Sequence, residues 1–319
     1  LRSPIIAGSC GLTSDVEKMV EMEKAGVGAV VLKSIFEEQI NEETSGVFKA
    51  GYGMGDAYPE AEDYIKAYIR SNTIQKYVEL VRNAKSRLTI PVIASVNCFS
   101  GGEWVSFARQ LEEAGADALE LNVFILPVNE FKESAEVENV YFEIVKSIKS
   151  QIKIPVSVKI SHYFTNLSAF VDKIKAYGAN ATTLFNRFYE PDININTLEM
   201  GAASVFSTAA ELRTTLRWTG ILAGKDKRLE ISASTGVHGG EATVKLLLAG
   251  ATTVQVCSVL YEKGIHVIED INNFIGKWMD SKAFKTIEDY RGMLSYSSIE
   301  NPDLYERAQF MKYFSNKQY

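Results

Sequence analysis

The sequence predicts an α/β protein built as a (β/α)8 barrel, and three observations lead there. The first is a phrase that recurs four times: Ala25-Gly26-Val27-Gly28-Ala29-Val30-Val31-Leu32, Ala114-Gly115-Ala116-Asp117-Ala118-Leu119-Glu120-Leu121, Tyr177-Gly178-Ala179-Asn180-Ala181-Thr182-Thr183-Leu184 and Ala249-Gly250-Ala251-Thr252-Thr253-Val254-Gln255-Val256. Each copy follows a stretch with helical periodicity. Its glycine falls where a helix C-terminus needs the left-handed conformation, and the apolar, β-branched run after it suits a strand buried on both faces. The second is a pair of strand openings, Ile90-Pro91-Val92 and Ile154-Pro155-Val156, with proline where no ladder donor is yet needed. The third is an omission. A doubly wound open sheet would carry a GxGxxG turn after its first strand, and none is there.

In chain order, strands are expected at 5–9, 29–34, 91–96, 118–123, 155–160, 181–186, 230–235 and 253–258. Helices are expected at about 14–25, 73–86, 102–114, 136–150, 166–177, 209–217, 240–249 and 261–279, giving strict βα alternation. Residues 1–279 thus form one barrel domain. Within it, 35–72 is a long loop region carrying Gly46, Gly51, Gly53, Gly55, Pro59, Tyr52, Tyr58 and Tyr64, placed over the C-terminal mouth where barrel active sites form. Residues 280–319, with Tyr290, Tyr296, Tyr305, Phe310, Tyr313 and Phe314, form an extension too short for its own core, expected to pack on the barrel or on a partner subunit.

Composition narrows the function classes. With 46% apolar residues in a 319-residue chain there is ample material for a large core. The net charge of −6, without a Lys/Arg block, argues against a nucleic-acid surface, and runs such as Val244 to Ala251 are too short to span a bilayer. Cys10, Cys98 and Cys257 lie far apart with no metal-ligand spacing, so neither a disulfide scaffold nor a metal site is expected and a cytoplasmic setting fits. The chain opens on Leu1 directly before an apolar strand; what precedes it stays open.

Function in this fold belongs to the C-terminal ends of the strands. They read Ala7-Gly8-Ser9-Cys10, Lys33-Ser34, Asn97, Asn122, Lys159, Asn186-Arg187, Ser234-Thr235-Gly236 and Cys257-Ser258. Two lysines and three asparagines ending apolar strands are costly to bury without partners. One asparagine alone can cap a loop, and one lysine alone can pair with an acid such as Glu120. Converging on one mouth, they suit a planar ligand with carbonyl and imide groups. Thr235-Gly236, Gly239-Gly240 and Ser258 form the pattern of a barrel phosphate site. His238 reads as a solvated loop residue and His266 as structural. His162 and Tyr163 are candidates to touch substrate, and no Ser-His-Asp or Cys-His set emerges from the spacing.

These motifs, in this order, resemble the dihydroorotate dehydrogenase family of flavin enzymes. Ser3-Pro4-Ile5-Ile6-Ala7-Gly8-Ser9 is similar to its N-P-x-x-x-A-S opening, Leu32-Lys33-Ser34 to T-K-S, Glu120-Leu121-Asn122 to E-L-N and Val158-Lys159-Ile160 to V-K-[LI]. Ser234 to Gly240, Gly250 to Ser258 and Thr286 to Gly292 resemble its phosphate end and its closing motif. The resemblance implies FMN as cofactor. Gly8, Ser9, Asn97, Asn122 and Lys159 would surround the ring with Lys33 and Ser34 nearby, and Thr235, Gly236, Cys257 and Ser258 would hold the phosphate. Lys33, Asn122 and Asn186 would bind a dihydropyrimidine substrate. Lys33, Lys159 and Asn122 would carry the catalysis, with Lys159 stabilising the charge that develops as the flavin accepts hydride. A homodimer and a small-molecule electron acceptor are implied too.

The departures are equally specific. Where the family writes x-[SC]-[CS]-P-N after E-L-N, this chain has Val123-Phe124-Ile125-Leu126-Pro127, so the base position falls on Ile125 or Leu126. Neither can take a proton. Gly51-Tyr52-Gly53-Met54-Gly55-Asp56 replaces the substrate loop N-x-x-G-[LF]-x-N, and Ser207-Thr208 replaces a Ser-Gly. Tyr52, Tyr58 and Tyr163 are the candidate substitute bases. Two other readings stay open: a flavin-binding relative that acts on another substrate or on none, and a lyase using Lys159 as a Schiff-base amine.

Overall fold

In the computed structural model, which describes residues 1–36, 59–97, 101–188, 190–225 and 229–306, strands and helices alternate along the chain. Two compact units emerge: Leu1–Ile160 with Ala169–Ala181, and Ser161–Ser168 with the residues from Thr182 onward. Residues 37–58, with most of the expected mouth loop, and Cys98, Phe310, Tyr313 and Phe314 lie outside the described residues.

The first unit contains β1 (Ile5–Ala7), α1 (Val16–Lys24), β2 (Ala29–Val31), β3 (Ile35–Phe36), α2 (Pro59–Arg87), β4 (Val92–Asn97), α3 (Gly101–Glu113), β5 (Ala118–Asn122), α4 (Ser134–Lys149), β6 (Val156–Ile160) and most of α5 (Leu167–Ala176). Its strands pair in parallel in the order β1, β2, β4, β5, β6. β3 takes up the far end of β4 through Ile35↔Val96 and Phe36↔Asn97, so the expected strand 29–34 is interrupted at Leu32–Ser34. Fully buried β1 and β2 match strands covered on both faces. Asp15 starts α1 by accepting from the Glu17 and Lys18 amides, and Met19 and Met22 turn inward. α2 begins at Pro59 instead of near 73. Proline suits a helix's first turn because its missing N–H would have had no intrahelical partner.

The second unit holds β7 (Ala181–Leu184, apart from its first residue), the antiparallel hairpin β8 (Pro191–Asn194) and β9 (Glu199–Ala202), α6 (Leu212–Lys225), β10 (Glu230–Ala233), α7 (Gly240–Ala249), β11 (Thr253–Val256), α8 (Ser258–Lys263) and α9 (Val267–Ser281). The Phe185 amide donates to Ser234 at 3.1 Å, tying the end of β7 to β10, and β10 pairs in parallel with β11. Setting aside the short β3 and the hairpin β8–β9, the first unit has five strands and the second three, the eight strands alternating with helices that a (β/α)8 fold requires. The glycines of the recurring phrase all take positive φ: Gly26 +94°, Gly115 +97°, Gly178 +111° and Gly250 +117°. The repeat therefore reports one helix-to-strand turn used four times.

Beyond α9, the Gly292 and Leu294 amides donate to Leu247 and Leu248 of α7, and the Tyr296 amide to Gly220 of α6. Tyr290 is fully buried, its ring edge-on to Trp278 at 4.9 Å. Its hydroxyl has no hydrogen-bond partner among the described residues, and burial pushes it up to about 12. An unpaired buried hydroxyl costs stability, so Tyr290→Phe should leave the protein as stable or raise its stability by about 1 kcal/mol in urea unfolding. A loss of that size would show that the hydroxyl is bonded. Among the described residues no helix is long and apolar enough to cross a membrane, and no cluster of His, Cys, Asp or Glu could hold a metal ion.

Candidate functional site

In the first unit, strand register brings the expected residues together. Asn122 and Lys159 are direct neighbours at the ends of β5 and β6. Glu120, two residues before Asn122, shares its face of the sheet. Lys159 Nζ lies 3.4 Å from Glu120 Oε1, and the two residues are only 8% and 1% exposed. This is the pairing of a strand-end lysine with Glu120 that the sequence also allowed. Asn97 closes β4, 4% exposed, and its Oδ1 has no partner among the described residues.

A buried hydroxyl chain underlies these groups. Ser9 Oγ lies 3.0 Å from Ser34 Oγ and accepts from the Ser34 amide at 2.8 Å; Ser34 Oγ is 2.7 Å from Ser95 Oγ. From α2, the Tyr77 hydroxyl donates to Ser95 O and accepts from the Ser95 amide, both at 2.9 Å. Burial, with a smaller contribution from the Glu120 charge, pushes that phenol well above its usual range. Gly8 is buried beside Ser9, whereas Lys33 is exposed. Ser95 and Tyr77 were not singled out from sequence. The available signal was a serine inside the apolar run Val92-Ile93-Ala94-Ser95-Val96.

After β5, the positions that would hold a base are settled but apolar. Ile125 is half-buried and Leu126 is 53% exposed. The buried Tyr141 hydroxyl is hydrogen-bonded to the Ile125 backbone, and burial raises it to about 12.

In the second unit, Asn186 and Thr235 line a cavity of about 120 Å³ together with His162, Tyr163 and the ion-paired Arg187 and Glu211. His162 meets Tyr163 at 4.3 Å and Phe185 at 5.8 Å between ring centroids. Thr235 adopts φ +78°, an outlier for a β-branched residue, and its Oγ1 donates to Phe185 O at 3.0 Å. Gly236 follows at φ +79°, and a Cβ there would collide with the Leu212 and Glu211 backbone. Gly236→Ala should therefore destabilise the protein by roughly 2 kcal/mol or more in denaturant unfolding, while an unchanged midpoint would mean the turn can move aside. Gly239 caps α7 and faces open space, with nothing within 4 Å of where a Cβ would stand. Cys257 and Ser258 open α8, both half-buried.

Ser258 is already engaged. Its Oγ accepts from the Ser207 amide at 2.9 Å and from Ser207 Oγ at 3.1 Å. Ser207 Oγ is also 3.3 Å from His238 Nε2, and His238 Nδ1 is 3.2 Å from Glu262 Oε2. His238, expected as a solvated loop residue, is instead bonded at both ring nitrogens, because the loops carrying Ser207 and His238 meet α8, which carries Glu262.

Comparison with known proteins gives a consistent result. The family model described as dihydroorotate dehydrogenase matches residues 1–279. A relative named dihydroorotate dehydrogenase B (NAD(+)), catalytic subunit, from Thermoplasma acidophilum is 29% identical over 299 residues, covering 92% of this chain and 95% of its own. Relatives of the same name from Thermoplasma volcanium and Pyrococcus furiosus are 27% and 26% identical, covering 92% and 91% of this chain and 95% and 94% of their own. With the family match spanning the described barrel, the chain belongs to the dihydroorotate dehydrogenase family.

Proposed function

We propose that the protein is an FMN-dependent oxidoreductase acting on the CH–CH bond of a dihydropyrimidine such as dihydroorotate, in pyrimidine synthesis. The observation that carries this is Asn97: a buried amide oxygen without a partner among the described residues, where the family resemblance expects the flavin. A heteroaromatic imide offers the N–H that such an oxygen lacks. The open face of Gly239 gives a phosphate the close backbone approach it needs. These residues fit FMN.

Bound FMN supplies a hydride acceptor. Asn97 and Asn122 would hold its ring through amide hydrogen bonds, and Lys159, paired with Glu120, would supply a positive charge to it. Gly8, Ser9 and Ser34 would accept a flat ring, Lys33 and Asn186 would bind the substrate's carboxylate and amide groups, and Thr235, Gly236, Cys257 and Ser258 would hold the phosphate. The names of the relatives support NAD⁺ as the final electron acceptor. We place the protein in the cytoplasm as a homodimer.

Ile125 and Leu126 favour a second reading, in which the flavin site serves another substrate. The test is anaerobic addition of L-dihydroorotate to the flavin-loaded protein. Rapid bleaching of the flavin band supports dihydroorotate oxidation, with a base other than residues 125 and 126. A band that persists there, yet bleaches with dithionite, supports the second reading.

A further inference from the structure

The ladder between β2 and β4 loses a rung near its C-terminal end. The Val30 amide donates to Pro91 O at 3.1 Å and the Leu32 amide to Ile93 O at 2.9 Å. At the same two-residue step the next rung would run from the Ser34 amide to Ser95 O. The Ser34 amide donates instead to Ser9 Oγ at 2.8 Å, and the Tyr77 hydroxyl takes both Ser95 backbone groups, each at 2.9 Å. The two serine side chains bridge the gap, with Ser34 Oγ 2.7 Å from Ser95 Oγ. Pairing then resumes at Ile35↔Val96. A buried ladder group left empty costs about as much as a lost hydrogen bond, so side-chain hydroxyls are what make this break tolerable.

Lys33 is the residue that the break delivers. Its amide donates to Thr13 O at 3.3 Å, and the fully buried Thr13 bonds through its hydroxyl to both backbone groups of Cys10. Two consecutive amides, 33 and 34, therefore dock on the loop after β1 rather than on a strand, while Lys33 itself stays exposed. We propose that Tyr77 and Ser95 are positioning residues for Lys33: they hold the strand break in place, and with it the backbone from which the ammonium reaches the substrate's carboxylate. Both are too buried to touch a ligand at the mouth. Ser95 is 0% exposed and Tyr77 8%, its ring packed on Phe107 of α3 with centroids 5.9 Å apart. Their effect passes through Ser34, whose hydroxyl Ser95 holds and whose backbone adjoins Lys33. The inference rests on the proposed role of Lys33 as a substrate-binding group.

The experiment is calorimetric titration of the full-length, FMN-loaded protein with orotate, which carries the carboxylate, and with uracil, the same ring without it. Ser95→Ala and Tyr77→Phe should each weaken orotate binding by about tenfold, the scale of one hydrogen bond to a charged group. Uracil affinity and FMN retention stay at their wild-type levels, because the contacts to the rings are undisturbed. In a Lys33→Met background, where the ammonium is gone, neither substitution weakens orotate further. Equal losses for orotate and uracil, or a loss that persists in Lys33→Met, would make the two residues general supports of the fold and overturn the proposal. Unchanged orotate binding in both variants overturns it as well. Ser95→Ala leaves the bonds from Tyr77 to the backbone in place, so it decides the matter even where Tyr77→Phe fails to fold. A wild type that holds FMN but binds no orotate overturns the dihydropyrimidine reading and this inference together.

Discussion

Replacing Lys159 by methionine should cost roughly 3–5 kcal/mol of folding stability, the scale for stranding one member of a buried ion pair. Glu120 is 1% exposed and Lys159 Nζ is its partner at 3.4 Å, so the single variant leaves a carboxylate in the barrel interior. That carboxylate loses the cation that offsets its charge, which is costly in the barrel interior. The double variant Lys159→Met/Glu120→Leu removes both charges and should recover most of the lost stability. It should not recover activity. If Lys159 is the cation proposed to stabilise the reduced flavin, both variants remove it, and anaerobic flavin reduction should slow by about 10²–10³-fold. Urea unfolding and stopped-flow reduction separate the two effects. Equal stability of wild type and Lys159→Met would show that the pair is not buried in solution. Fast reduction in the double variant would remove Lys159 from the chemistry.

Installing a base should produce the second large effect, in the opposite direction. Ile125→Cys, or Leu126→Cys, places a group able to take a proton where the family writes Ser or Cys, and general base catalysis typically contributes about 10²–10⁴-fold. Reduction of bound flavin by L-dihydroorotate is expected to quicken by at least about 10²-fold. It should rise with pH as the thiol ionises, near pH 8.5 for an unperturbed cysteine. Tyr141 favours position 125, because its hydroxyl holds the Ile125 backbone and gives a new side chain a fixed origin. No gain from either variant, in a protein already reduced quickly, would show that another residue takes the proton.

Much of this arrangement was legible in the sequence. The recurring glycine phrase marked helix-to-strand turns whose positive φ values follow from residue type, and strand ends fell within a few residues of those observed. Asn97, Asn122 and Lys159 could be placed because strand periodicity tells where an apolar run stops. The hairpin β8–β9 left no such trace. Ile193, Leu198 and Met200 are exposed, so no buried face imposed a pattern. The last expected helix divides at Gly264, where φ +86° ends α8, and a single glycine in a helical pattern does not announce that on its own. The chain from Glu262 to Ser207 was invisible for another reason: its members lie 24 and 31 residues apart, and only tertiary packing joins them.

Uptake of FMN tests most directly the proposal that these strand ends hold it. The purified protein, stripped of any bound flavin and mixed with FMN, should retain close to one flavin per chain after gel filtration, with the visible band of a bound isoalloxazine. Asn97→Ala should weaken that retention. A colourless protein that takes up no FMN under these conditions would contradict the account.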